Sequence, residues 1–126
     1  MANINILRTS NLTEDDEYML IYANNAKQLQ TLTGEIVDIK AFVIYEEMKE
    51  GKNGEETGKS TTIISILTED NNVYGSNSAT FIKSFENTLD FWTQKGKPEK
   101  ANHFLVQSGT SKTGREFIQC VYVPKN

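Results

Sequence analysis

The hydrophobic period changes between Gly34 and Trp92, and that change constrains the fold more than any other feature of the chain. From Ile36 onward residues alternate. Val37, Ile39, Ala41, Val43 and Tyr45 share one side, and Asp38, Lys40, Phe42, Ile44 and Glu46 share the other. Period two marks a β-strand, whose successive side chains point to opposite faces. The second side begins polar and turns apolar midway. A strand that buries one face and then, past a bend, buries the other gives this pattern, and barrels need such bends. Glu46–Ser60 holds three glycines and eight charged residues, which predicts a hairpin loop. Thr61–Thr68 is mostly β-branched and predicts a second strand. Glu69–Asn72 reads as a turn and Val73–Ser76 as a brief third strand, closed by Ser76-Asn77-Ser78. Ser78 is a suitable N-cap for a helix with Phe81, Ile82, Phe85, Leu89 and Trp92 on one face and Lys83, Glu86, Asn87 and Asp90 on the other.

Lys95-Gly96-Lys97-Pro98 ends that helix. Two further strands are expected at His103–Ser108 and Glu116–Val123, joined by the turn Gln107–Arg115. Five short strands with one helix between the third and fourth is the order of an OB-fold, a five-stranded Greek-key barrel. The expected organisation is a single OB-fold-like domain over 1–126, with 1–33 as an N-terminal extension and 34–123 as the barrel. In the extension, Ile4, Ile6 and Leu7 fit a short edge strand, and Glu14–Glu17 fits a solvated turn or the first turn of a helix. Tyr18–Leu32 has three- and four-residue apolar spacing that predicts a helix ended by Thr33-Gly34. A strand over Tyr18–Ala23 followed by a short helix also fits.

A chain of 126 residues buries a core without disulfides or metals. No apolar run is long enough to span a membrane, and the N-terminus lacks the basic and apolar regions of a secretory signal. The lone Cys120 has no internal partner for a disulfide, which fits the cytoplasm. The net charge is −4 and unevenly spread. Residues 1–82 carry 6 Lys/Arg against 13 Asp/Glu, a balance of −7, whereas 83–126 carry 7 against 4, a balance of +3. Charges separated by more than about 10 Å are screened, so an acidic domain is able to present a basic groove.

Catalytic and metal-binding patterns are thin. Gly54-Glu-Glu-Thr-Gly58-Lys59-Ser60 resembles a P-loop but has three residues between its glycines instead of four, and a strand rather than a helix should follow. His103 and Cys120 are the only histidine and cysteine, too few for a closed zinc site. Cys120 alternates with apolar neighbours and reads as a buried structural thiol. No cofactor is implied, and the chain reads as non-enzymatic.

Interleaved aromatic and basic residues remain. Lys40 and Tyr45 lie on the first strand, Lys59 opens the second, and Tyr74 lies on the third. Lys112 and Arg115 sit in the last turn, ahead of Phe117 and Tyr122. In an OB barrel the face of strands two and three and its flanking loops hold single strands, with bases stacked on rings and cations along the backbone. These eight residues are the candidate DNA-binding set, with Tyr74 expected to be exposed and Phe117 and Tyr122 divided between core and groove.

Gly34-Glu-Ile-Val-Asp-Ile, then Asn72-Val-Tyr74-Gly-Ser-Asn-Ser, then Phe81 and the helix to Phe91 resemble the small single-stranded DNA-binding proteins of tailed phages of Gram-positive hosts. Those phages replicate linear genomes by protein priming. The resemblance covers residues 34–92. It implies a protein that coats and protects displaced strands without sequence preference, in the host cytoplasm, with replication proteins as further partners. It also matches Tyr74 to a family tyrosine that faces DNA. An alternative is an acidic inhibitor, whose negative half mimics DNA to occupy a host nucleic-acid enzyme.

Overall fold

The computed structural model describes residues 3–23, 25–50 and 56–125, and for residues 3, 49, 50 and 56–59 the backbone alone. The chain forms β1 (Asn3–Thr9), a helical turn α1 (Glu14–Glu17), a π-helical turn (Tyr18–Tyr22), β2 (Lys27–Gln28) and a 3-10 turn (Leu29–Leu32). The barrel strands β3 (Ile36–Glu50), β4 (Glu56–Thr68) and β5 (Val73–Ser76) follow, then helix α2 (Ala79–Gln94). A 3-10 turn (Pro98–Asn102), β6 (His103–Thr110) and β7 (Glu116–Tyr122) complete the chain.

The expected five strands and helix are present in the OB order. Ladders run β5-β4-β3-β6-β7, and among the described residues none joins β5 to β7. The sheet therefore curls into a barrel with one open seam. Residues from β3, β4, β6 and β7 meet α2 in one core around Phe81, Phe85 and Phe104. Three of their ring pairs lie edge to face at 5.0 to 5.9 Å, an arrangement that suits the aromatic quadrupole. Ser78 caps α2 as the sequence predicts, accepting the Phe81 N–H at 3.3 Å.

The predicted bend is a register shift between Ile39 and Ala41. Before it Val37 and Ile39 face the barrel core. After it Phe42 and Ile44 do, while Ala41, Val43 and Tyr45 face outward. The loop expected over Glu46–Ser60 is a correction. Strands continue through residues 46–50 and 56–60, still paired as far as Glu50 with Glu56. Their charged residues hide the strands from a hydrophobic pattern, although the backbone still pairs. Residues 51–55 lie outside the described residues.

Two strands lie beyond the expected five. β1 pairs antiparallel along the free edge of β3, Asn3 opposite Met48 through Thr9 opposite Val43. β2 adds two parallel residues to β5. The single helix expected over Tyr18–Leu32 is also corrected. The helical turn ends at Ala23, whose N–H bonds the Tyr18 carbonyl five residues back at 2.9 Å, and an extended segment separates it from Leu29–Leu32. Leu20 is 3% exposed and packs on Ala41, Val43, Tyr45, Leu67 and Val73, with Leu12, Met19 and Ile21 around it. Burying one leucine contributes about 2 kcal/mol. Ile4, Leu12 and Met19–Ile21 thus pack on the outer face of β3, β4 and β5.

Candidate nucleic-acid interface

The outer face of the second and third barrel strands, β4 and β5, is the expected groove, and here it lies beneath the turn Tyr18–Tyr22. Ser65, on that face, is 2% exposed, and its Oγ finds no hydrogen-bond partner. Tyr45 is a correction for the same reason. It is 6% exposed in the outer cluster, and its phenol is pushed above the ordinary range by burial and then by the nearby Glu47 charge. Its ring offers no face to a base.

The open seam provides a different surface. A cleft of about 510 Å³ runs between β2–β5 on one side and the start of β7 on the other, lined by Gln28, Gln30, Ser76, Thr80, Arg115 and Phe117 among others. Its walls follow from local geometry. The turn before β7 closes with Gly114 at φ 84°, a left-handed conformation that glycine adopts without strain. The Ser111 N–H donates to the Arg115 carbonyl at 2.8 Å. Lys112 and Arg115 are exposed at this turn, and among the described residues neither meets a carboxylate. Phe117 is half-buried, and the far end of its ring lies over Gly109 of β6, where an added Cβ would fall 2.5 Å from Cζ. Gly109 is required there, because any side chain would displace Phe117.

The remaining predicted residues lie at other places. Tyr74 is half-buried instead of exposed. It packs partly on the barrel core and borders a second hollow with Leu32, Val37 and Asp70. Its neighbours Gly75 and Ser76 line the seam cleft. Lys27, which the sequence reading passed over, holds its ammonium 5.9 Å from the Tyr74 ring centroid and 3.4 Å from Asn72 Oδ1. Nothing in a two-residue parallel strand signals such a position in advance. Lys40 is exposed and bonds Asn71 Oδ1 in the β4–β5 turn. Tyr122 lies away from the cleft, 5.0 Å from Trp92. The Lys59 side chain lies outside the described residues. Arg115, Phe117 and the residues beside Tyr74 are therefore brought together, and Tyr45 and Tyr122 are not.

Acid–base and metal chemistry find little support. Cys120 is buried, and desolvation pushes its thiol up to about 12, far from the thiolate that chemistry needs. His103 bonds Asp38 at 2.6 Å, and this hydrogen bond is the main cause that holds the Asp38 carboxyl below its ordinary value. Among the described residues, no group of three His, Cys, Asp or Glu side chains is placed to hold a metal. Nor is any helix of these residues long and apolar enough to cross a membrane. Ser60 and the backbone of Lys59 lie inside β4 and not at a helix N-terminus, so the P-loop reading fails on geometry.

No curated protein and no solved structure matches the chain. One family model does match, described as Phage Single-stranded DNA-binding protein, over residues 2–121. The match takes in the N-terminal segment as well as the barrel. It also separates the two readings of the sequence, since DNA is the ligand and not what the chain imitates. By this match the chain belongs to the phage single-stranded DNA-binding protein family, binding single-stranded DNA in phage replication.

Proposed function

We propose that the strand enters at the open seam and not across the outer face of β4 and β5. One observation carries this reading. The chain's own Leu12, Met19, Leu20 and Ile21 pack on the outer face, whereas the seam keeps a cleft walled by Phe117 and Arg115. A base stacks on the exposed side of Phe117, and Arg115 and Lys112 meet phosphates, while Tyr74, with Lys27 against its ring, borders a neighbouring hollow. Rings and cations are indifferent to base identity, so the protein coats displaced strands without sequence preference. It works by binding alone, as the inert thiol of Cys120 supports. It acts as one unit over 1–126 in the host cytoplasm beside other replication proteins.

A competition gel shift between single-stranded and duplex DNA tests the ligand. Single strands should win, because a duplex keeps its base faces stacked; equal affinity would refute the reading. Phe117→Ala tests the place. Loss of one stacking platform costs about 1–3 kcal/mol, roughly a 5- to 150-fold weaker Kd. Gly109→Ala should weaken binding in the same direction, because its Cβ drives the intact ring off the cleft wall. Unchanged affinity in both variants, with native melting curves, would move the site away from the seam.

A further inference from the structure

Helix α2 presents a line of solvent-facing residues that begins at the seam. Ala79, Lys83, Asn87 and Phe91 recur every four residues, Lys95 follows at the helix end, and all five are exposed. Residues four apart on a helix are surface neighbours. Ala79 and Thr80 line the seam cleft and also a shallow hollow with Lys83, Ser84 and Asn87, so the two surfaces are continuous. At the other end Phe91 is 51% exposed, whereas Phe81 and Phe85 of the same helix are fully buried. Phe91 touches Trp92 edge-on at 5.0 Å, and Trp92 touches Tyr122 at 5.0 Å. The Lys95 ammonium sits 5.6 Å from the Phe91 ring centroid, and that of Lys100 sits 4.7 Å from the Trp92 centroid.

We propose that this face of α2 carries the DNA strand onward from the seam to the aromatic–lysine patch around Phe91 and Trp92. The inference rests on the seam reading and extends it. Exposed rings beside lysines are what single-strand binding uses, bases against rings and ammoniums against phosphates. A lysine resting on an exposed ring is held weakly on a flexible stem. When a base takes the face of Phe91, Lys95 swings to the adjoining phosphate. Charge favours this occupant over an apolar protein surface. Lys83, Lys95, Lys97 and Lys100 all belong to this helix or the turn after it. The carboxylates flanking the line are drawn toward β1, where Arg8 reaches Asp90 at 2.5 Å and Glu86 at 3.7 Å. Sixteen residues of helix span about 24 Å, so the track lengthens the covered strand well beyond the cleft.

The test is a titration of the wild type and a Phe91→Ala/Lys95→Ala variant with oligo(dT) of graded length, followed by gel shift and by Trp92 emission. For the wild type, affinity should keep rising past the length that fills the seam, and only the longer oligomers should change Trp92 emission. The double variant should match the wild type on the shortest binding oligomers and bind the longer ones about tenfold more weakly, within the range for one lost stacking platform. Lys95→Glu, which keeps every ring and sits at the helix end, should show the same length-selective loss if the double variant folds poorly. Identical length dependence in variants and wild type would overturn the inference and leave the seam reading intact. Equal loss at every length would overturn it too, since the two residues would then act on the seam itself. Failure of the wild type to bind any oligomer would refute the seam reading and this inference together.

Discussion

Substituting both Lys112 and Arg115 with alanine should flatten the salt dependence of DNA binding by a calculable amount. Both side chains are exposed beside the cleft and meet no carboxylate among the described residues. Each phosphate neutralised on a single strand contributes about −0.7 to the slope of log affinity against log salt. Two lost contacts therefore lower the slope by roughly 1.4. Between about 50 and 200 mM salt, a wild-type-to-variant affinity ratio would shrink by roughly sevenfold. The assay is a titration of poly(dT) at several salt concentrations, with Trp92 and tyrosine emission as the signal. The loss should be uniform across DNA sequences, since phosphate contacts carry no base information. A double variant with the wild-type slope would show that the β6–β7 turn does not border the strand.

Two predictions concern stability. Ser65→Ala should raise the melting temperature by about 4 °C, because it removes a buried hydroxyl without a partner at a gain of about 1 kcal/mol; a drop in melting temperature would mean that the Oγ is satisfied. The His103 hydrogen bond depresses the Asp38 carboxyl below 3.8, so its stabilisation is complete above that value and is lost as pH falls through the lower folded value. Asp38→Asn should accordingly flatten the acid limb of a melting-temperature profile, and identical acid limbs would refute the linkage.

The parts of the fold that were legible in the sequence are those where side-chain pattern and burial coincide. The bend in β3 showed as apolar residues crossing from one side to the other, and the register shift between Ile39 and Ala41 is its structural cause. α2 was legible from Ser78 and the spacing of Phe81, Phe85 and Leu89. The outer halves of β3 and β4 were not, since their charged residues break the apolar alternation although the backbone still pairs. β1 was legible as a strand but its partner was not, because Asn3 meets Met48 across some forty residues and no local rule encodes that choice. Tyr45 shows the limit for the site. Strict alternation put it on the side of Val37 and Ile39, which face the core; the register shift turns it to the outer face instead, and that face is covered by a segment whose docking is tertiary. The turn that carries Lys112 and Arg115 ahead of Phe117 was legible as a loop between two strands, because its glycines and polar residues interrupt the apolar pattern.

The cover also reconciles the acidic net charge with a polyanionic ligand. Glu14, Asp15, Asp16 and Glu17 form α1, immediately before the turn whose Leu20 seals the outer face. Thr13 fixes this turn through a reciprocal capping box, its Oγ1 accepting the Asp16 N–H at 3.1 Å, and four carboxylates at a helix start are favourable for the helix itself. Their charge is thus set beside a surface that a strand does not enter on the seam reading. It repels phosphate from the outer face and leaves the seam and the lysines of α2 as the least repulsive approach. The same segment that blocks the expected groove by packing also closes it by charge. On the seam reading, the −7 of residues 1–82 and the +3 of residues 83–126 act together, since a strand at the open edge of the barrel is drawn by the lysines and kept from α1.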